Sequence, residues 1–203
     1  MTKHKVFISY HHENDQWYKE ELLRLNELYD IFIDGSVDTG DIDDSLSNER
    51  IRQIIRDDYL KDTSVTILLV GTETKNRKHI DWELKSSMIN GAINKKSGIL
   101  VINLPSTGCS YYTATHPNEK EIVYPENNSW ISINTRAEYE RRYPFLPARI
   151  IDNLLKSEAK ISVVNWDKIS NNIEYLRFLI DATYQDRVKC EYDLSRTMIQ
   201  NNS

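Results

Sequence analysis

One carboxylate, Glu83, has the sequence context of a residue that does chemistry. It lies in the segment 77–84, which follows an apolar run at 65–70 and a short Gly-Thr-Glu-Thr turn. The apolar run predicts a buried strand, and the residues after the turn predict an amphipathic helix. Glu83 is therefore expected just beyond the carboxyl end of a strand, where ligand crevices form in open α/β sheets. A carboxylate there can stabilise positive charge that develops on a substrate, although a glutamate that merely favours a helix N-terminus gives the same pattern.

Apolar runs and amphipathic helical patterns alternate between residues 5 and 104. The runs predict strands at 6–10, 31–33, 65–70 and 99–102. Helices are predicted behind a cap at Asn14 or Asp15, behind a cap at Ser47 or Asn48, and over about 80–94. Nearly continuous apolar strands separated by amphipathic helices indicate a parallel sheet that is covered on both faces.

The second half of the chain has a weaker pattern. It predicts a fifth strand at 161–164, an extra edge strand at 130–133, and helices at about 148–156 and 170–187. We expect one domain over 1–190, made of a core at 5–104, an irregular insertion at 105–145 and a last helix-strand-helix unit at 146–190. The segment 191–203 is expected to form a polar tail that is frayed after Leu194.

Composition excludes several classes of protein. A chain of 203 residues with 39% hydrophobic residues can build a core, so global disorder is not expected. A net charge of −5 without a basic stripe argues against nucleic acid as the main partner. Cys109 and Cys190 lie far apart without metal-ligand spacing, which is typical of free thiols. With no secretory leader and no apolar run of about 18 residues, a cytoplasmic protein without a membrane segment is expected.

The chain resembles a known family at several points. Its opening strand, Val-Phe-Ile-Ser-Tyr at 6–10, resembles the first-strand signature of TIR domains. The short second strand, the long loop after it and the entry into the third helix through His79-x-x-x-Glu83 fit the same family. In TIR domains that cleave NAD, a glutamate starts that helix, and the segment 81–84 occupies this place. The segment 143–152 is similar to the bacterial and archaeal TIR-like branch, in particular to the ThsB family of Thoeris anti-phage systems.

This resemblance, which covers about 5–187, implies a fold and an activity. The fold is α/β and flavodoxin-like, a five-stranded parallel sheet with helices on both faces and a C-terminal elaboration. The activity is cleavage of nicotinamide from NAD, followed by cyclisation of ADP-ribose to an isomer of cyclic ADP-ribose. That second messenger would activate a partner effector in anti-phage defence. NAD is then a substrate, no cofactor is expected, and the expected partners include a phage component as trigger and further copies of the chain.

The resemblance also assigns roles to residues. Loss of nicotinamide builds oxocarbenium character on the ribose, which a single carboxylate can stabilise, so Glu83 is the predicted catalytic residue. The predicted substrate-binding residues are Phe7, Ser9, Tyr10, Asp34, His79 and Trp82. The ordinary alternatives are core packing for Phe7 and Trp82, and satisfied turn hydrogen bonds for Ser9 and Tyr10. His11 and His12 are interpreted as solvated turn residues, with a phosphate contact as the alternative.

Other functions stay open. The segment 30–44 holds six aspartates, but its Asp34, Asp38, Asp41 and Asp43 do not match the calcium-loop template, so no metal is predicted and the loop is interpreted as a mobile lid. A non-enzymatic TIR-like module that senses phage or scaffolds a partner through 105–145 is the main alternative. Nucleotide binding without cleavage is a third.

Overall fold

The computed structural model describes residues 2–35, 46–91 and 94–202. Residues 36–44 of the predicted acidic lid, with Asp38, Asp41 and Asp43, lie outside the described residues, and so does the stretch 92–93 of the predicted third helix. Within the described ranges, no helix combines the length and apolarity that a bilayer span requires.

Five strands form one sheet in which every pairing is parallel. The strands are β1 (Lys5–Ser9), β2 (Ile33–Asp34), β3 (Val65–Val70), β4 (Gly98–Asn103) and β5 (Ser162–Asn165). Their order is β2-β1-β3-β4-β5, which confirms the predicted flavodoxin-like class. Successive strands are added on one side of β1 for β2 and on the other side for β3 to β5, so the carboxyl ends of β1 and β3 form the topological switch point at which such folds bind ligands.

Eight α-helices are present in the described residues. They are α1 (His12–Tyr29), α2 (Asn48–Ile54), α3 (Lys78–Met88), α4 (Glu119–Val123), α5 (Arg136–Arg142), α6 (Ala148–Leu154), α7 (Trp166–Asn171) and α8 (Ile173–Asp186). A π-helical turn, Ile55–Tyr59, extends α2. The backbone N–H of Arg50 donates to Ser47 Oγ at 3.2 Å, so Ser47 caps α2 as predicted.

The two faces of the sheet carry separate cores because successive strand residues point to opposite sides. On one face, Val6 and Ile8 of β1 pack with residues of α1 and α8, such as Leu22 and Leu176. On the other face, Leu68 and Val70 of β3 pack with residues of α3 and α6. Every residue of β3 and β4 is buried, as expected for central strands of a doubly covered parallel sheet.

Two predicted boundaries near the amino terminus are wrong. His11, not Asn14 or Asp15, is the residue before α1, and it makes no capping hydrogen bond through its side chain. The second strand begins at Ile33 rather than at 31, because the side chain of Asn26 forms hydrogen bonds with the backbone of Ile31 and Phe32. Asn26 Oδ1 accepts the N–H groups of Ile31 and Phe32, and its Nδ2 donates to Phe32 O.

Three predictions further along the chain also need correction. The third helix ends at Met88 instead of about 94. No strand forms at 130–133; the free edge of β5 is instead occupied by Thr113, whose N–H and C=O bond the backbone of Val163 at 2.9 and 3.2 Å. The insertion 105–145 is not wholly irregular, since it contains α4 and α5.

Candidate functional site

Glu83 is buried against the carboxyl end of β1. Its side chain is 7% exposed, and Ser9 Oγ donates a hydrogen bond of 2.6 Å to Glu83 Oε2. Ser9 and Glu83 meet because alternate residues of β1, starting from Phe7, face α3. The strand thus supplies the hydroxyl and the helix supplies the carboxyl group at the β1/β3 switch point.

The environment of Glu83 raises the pKa of its carboxyl group into the neutral range. Burial raises the pKa of Glu83 to about 7, and the hydrogen bond from Ser9 offsets part of this rise by favouring the charged form. Near pH 7 the group is therefore shared between carboxylic acid and carboxylate. This is the range in which a carboxyl group can both stabilise a cation and accept a proton.

Phe7 and Trp82 lie beneath this pair, enclosed by protein atoms. They are 5% and 0% exposed and form one apolar cluster with Ile51, Ile55 and Leu60. This arrangement matches the packing alternative considered for both residues. Through this cluster α3 packs on β1 and on α2 with its π-helical turn. Since Phe7 and Trp82 are buried in the cluster, other residues form the surface next to Glu83.

Tyr10 directly follows β1, and His79 lies in the first turn of α3. Tyr10 Oη donates to Gln16 Oε1 at 2.6 Å, and its ring stacks on His12 at 4.4 Å between centroids. His79 is half-buried and stands edge-on to the ring of Trp82 at 6.0 Å. Both side chains are thus held in place by α1 and α3.

Asp34 is the predicted site residue that lies farthest from Glu83 along the sheet. It is exposed on the edge strand β2 and pairs with Val6. Val6 precedes Ser9 by three residues, which corresponds to about 10 Å of strand. The structure therefore brings Ser9 and Glu83 together and leaves Asp34 displaced from Ser9 toward the amino end of β1.

A group of buried polar atoms at the same sheet edge was missed by sequence reasoning. Asp15 is 2% exposed, its Oδ2 has no partner within the described residues, and burial raises its pKa to about 6. It packs so tightly on Gly71 that a Cβ at residue 71 would lie 2.4 Å from both carboxylate oxygens. His11 Nδ1 and Arg77 Nε are also buried without a partner in the part of the chain described. No local sequence signal separates these residues from ordinary loop and helix polar groups.

The segment 191–202 covers α3 and is not frayed. Trp82 Nε1 donates to the carbonyl of Ile199 at 2.8 Å, and the N–H of Ile199 donates to Asp81 Oδ2 at 3.0 Å. The N–H of Lys78, in the first turn of α3, donates to Asn202 Oδ1 at 2.8 Å. The expectation of a frayed tail is wrong because its backbone finds partners on the helix that carries Glu83.

A buried ion pair fixes the same helix from α6. The guanidinium of Arg149 forks onto Asp81, with Nε–Oδ1 and Nη2–Oδ2 distances of 2.8 and 3.0 Å. The side chains are 0% and 4% exposed, and Arg149 also donates to the carbonyls of Arg196 and Thr197. This buried ion pair fixes the rotation of α3 about its axis, since removing either partner leaves the other charge buried and unpaired.

A cavity of about 320 Å³ opens at the same edge of the sheet, over the ends of β4 and β5. Asn103 and Asn165 end these strands, and their side chains are joined by a hydrogen bond of 3.3 Å. Tyr112 and Tyr124, stacked at 4.2 Å, line its wall. The cavity lies about two strand spacings, roughly 10 Å, from the β1/β3 switch point.

The five-stranded parallel sheet with helices around it has the architecture of a TIR-like domain. Residues 7–108 match the family model described as "Thoeris protein ThsB, TIR-like domain", which covers half of the chain. The chain belongs to this family, which takes part in Thoeris anti-phage defence. Comparisons with curated proteins and with solved structures found no match.

Proposed function

We propose that the chain cleaves the bond between nicotinamide and ribose in NAD and converts the remaining ADP-ribose to a cyclic isomer. The observation that carries this proposal is a buried glutamate, Glu83, held by Ser9 at the ligand-binding edge of a ThsB-family domain. A surface glutamate at a helix N-terminus has neither the burial nor the raised pKa of this group.

Cleavage needs one carboxylate. Nicotinamide leaves NAD as a neutral molecule from a pyridinium cation, so its departure requires no proton, and positive charge develops on the ribose. Ser9 Oγ donates to Glu83 Oε2, and we assign the other carboxylate oxygen, Oε1, to the ribose. The cationic substrate favours the ionised form of Glu83 on binding, and the low local dielectric strengthens its stabilisation of the oxocarbenium ion.

Cyclisation needs a second nucleophile from the same molecule and the exclusion of water. The nucleophile attacks the oxocarbenium carbon, a bond forms there, and the nucleophile loses one proton. With a pKa of about 7, Glu83 suits the acceptance of that proton near neutral pH. The product is a small diffusible messenger, and we propose that it activates a partner effector after a phage component has triggered the enzyme.

A non-enzymatic interaction module is the second candidate. The insertion 105–145 exposes Tyr111, Ile122 and Ile131 at 40%, 42% and 71% of their surface. A contiguous patch of exposed apolar side chains is typical of surfaces that bind proteins, so this candidate requires the three side chains to act together. This candidate requires no chemistry at Glu83.

Small-molecule extracts from phage-infected cells separate the two candidates. Mass spectrometry would compare wild type, Glu83→Gln and the control Glu27→Gln, which changes an exposed glutamate of α1. The enzyme proposal predicts a species with the mass of cyclic ADP-ribose in wild type and in Glu27→Gln, and none in Glu83→Gln. If all three chains are folded and protect cells without forming the species, the interaction module replaces the enzyme proposal.

A further inference from the structure

Two buried nitrogen atoms, one just after β1 and one just before α3, have no hydrogen-bond partner in the described chain. They are His11 Nδ1 and Arg77 Nε. His11 as a whole is 9% exposed, and the Arg77 side chain, whose Nε is buried, is 27% exposed. Buried polar atoms are normally satisfied, so unsatisfied ones at a ligand-binding edge point to a partner that comes from outside the chain.

The two side chains belong to one cluster. His11 follows β1 two residues after Ser9, and Arg77 is the residue directly before α3, the helix that carries Glu83. Burial lowers the pKa of His11, and the charge of Arg77 lowers it further. A neutral imidazole and a permanent guanidinium cation therefore lie close enough to influence each other.

The chemistry of this cluster selects an anion with several oxygens. Arg77 Nη2 donates to Glu73 Oε2 at a long 3.4 Å, and the neighbouring Nε has no partner within the described residues. A guanidinium edge of this kind matches the oxygens of a phosphate in a bidentate manner. The N-terminus of α3 adds a favourable dipole, while Glu73 and Glu13, which raise the pKa of His11, oppose the anion.

We propose that His11 and Arg77 form a subsite for the diphosphate of a dinucleotide whose ribose lies at Glu83. The inference rests on the proposed function and adds to it the group that the chain uses to hold the phosphates. In NAD the nearest phosphate is attached to the same ribose that loses nicotinamide. One sugar ring must therefore span from the reacting carbon at Glu83 to the phosphate at His11 and Arg77.

Equilibrium binding of matched probes tests the subsite. ADP-ribose carries the diphosphate, whereas nicotinamide riboside carries no phosphate, and calorimetry measures both on the full chain. Arg77→Gln is expected to weaken ADP-ribose binding at least tenfold and to leave nicotinamide riboside binding unchanged. Arg24→Gln, which removes an exposed cation of α1 that is paired with Glu21, is the matched control and is expected to change neither. Glu73→Gln is expected to strengthen ADP-ribose binding.

The possible results separate this inference from the proposed function. Equal ADP-ribose affinity in wild type and Arg77→Gln, or equal weakening of both probes, overturns the subsite, and so does a wild-type chain that binds no ADP-ribose. His11→Phe is a second variant, because it removes the imidazole donor without touching the cation, and it must also weaken ADP-ribose selectively. If Arg77 holds ADP-ribose but infected cells form no cyclic product, the subsite stands and the proposed chemistry fails.

Discussion

Replacing Glu83 with glutamine is expected to stabilise the folded protein at alkaline pH. Burial raises the pKa of Glu83 from 4.5 to about 7, so the folded state binds the proton more tightly than the unfolded state. The stability contributed by this group is complete below pH 4.5 and is lost as the pH rises through 7. A shift of this size corresponds to about 3 kcal/mol at about 1.4 kcal/mol per pKa unit.

Glutamine keeps the shape of Glu83, and its amide oxygen can still accept the hydrogen bond from Ser9 Oγ. It carries no charge that must be buried. Glu83→Gln and wild type should therefore unfold with similar free energies near pH 4.5, and the variant should be more stable by about 3 kcal/mol at pH 8. For a chain of this length, the corresponding rise in melting temperature is roughly 6–12 °C.

Urea unfolding followed by circular dichroism at pH 5, 6, 7 and 8 measures this difference. Glu27→Gln, an exposed glutamate of α1, provides the control and should follow wild type at every pH. A difference between Glu83→Gln and wild type that is the same at pH 5 and pH 8 would refute the reasoning, as would a variant that is less stable than wild type at pH 8.

Three further perturbations probe the supports of the site. Asp15→Asn should raise the free energy of unfolding at pH 8 by up to about 3 kcal/mol and by little near pH 4, because the pKa of Asp15 rises from 3.8 to about 6 on folding; urea titrations at the two pH values measure it. Gly98→Ala should destabilise the chain by about 1–3 kcal/mol, because the new Cβ would lie 2.5 Å from the backbone oxygen of Thr183; an unchanged melting curve would contradict this packing. Deletion of 196–202 should shift tryptophan emission to the red, because Trp82 loses the carbonyl and the cover that now shield its indole; unchanged emission would mean that this segment does not cover α3 in solution.

The parallel sheet and the place of Glu83 are predictable from local sequence. β3 and β4 are buried at every position, and a strand of this kind must be apolar throughout, which makes it visible as a continuous run. Glu83 follows the last residue of β3 by 13 residues and lies in the second turn of the next α-helix, α3. Because a helix that follows a parallel strand begins at the carboxyl edge of the sheet, this place in the chain predicts the place of Glu83 in the fold.

The boundaries of the weaker strands depend on side chains that a pattern does not reveal. The apolar residues Ile31 and Phe32 look like strand, but the amide of Asn26 takes their hydrogen bonds. The apolar stretch 130–133 looks like an edge strand, but Thr113 already pairs with the edge residue Val163. In each case a competing partner decides the outcome.

The remaining parts of the site depend on contacts between residues far apart in the chain. Trp82 and Ile199 are separated by 117 residues, and Ile199 and Asp81 by 118. The polar composition of the segment 191–202 does not predict these hydrogen-bond partners. The buried donors of His11 and Arg77 are equally invisible in the sequence, because the absence of a partner is a property of the folded surroundings.

The fate of labelled NAD tests the central claim most directly. Protein purified from phage-infected cells would be incubated with NAD labelled separately in its nicotinamide and adenosine halves, for wild type, Glu83→Gln and Glu27→Gln. We expect wild type and Glu27→Gln to release nicotinamide and an adenosine-containing product, one water lighter than ADP-ribose, in equal amounts. Glu83→Gln should release neither. Turnover by Glu83→Gln at the wild-type rate would contradict the role of Glu83, and folded wild-type protein that leaves both labels in NAD would contradict the enzymatic account.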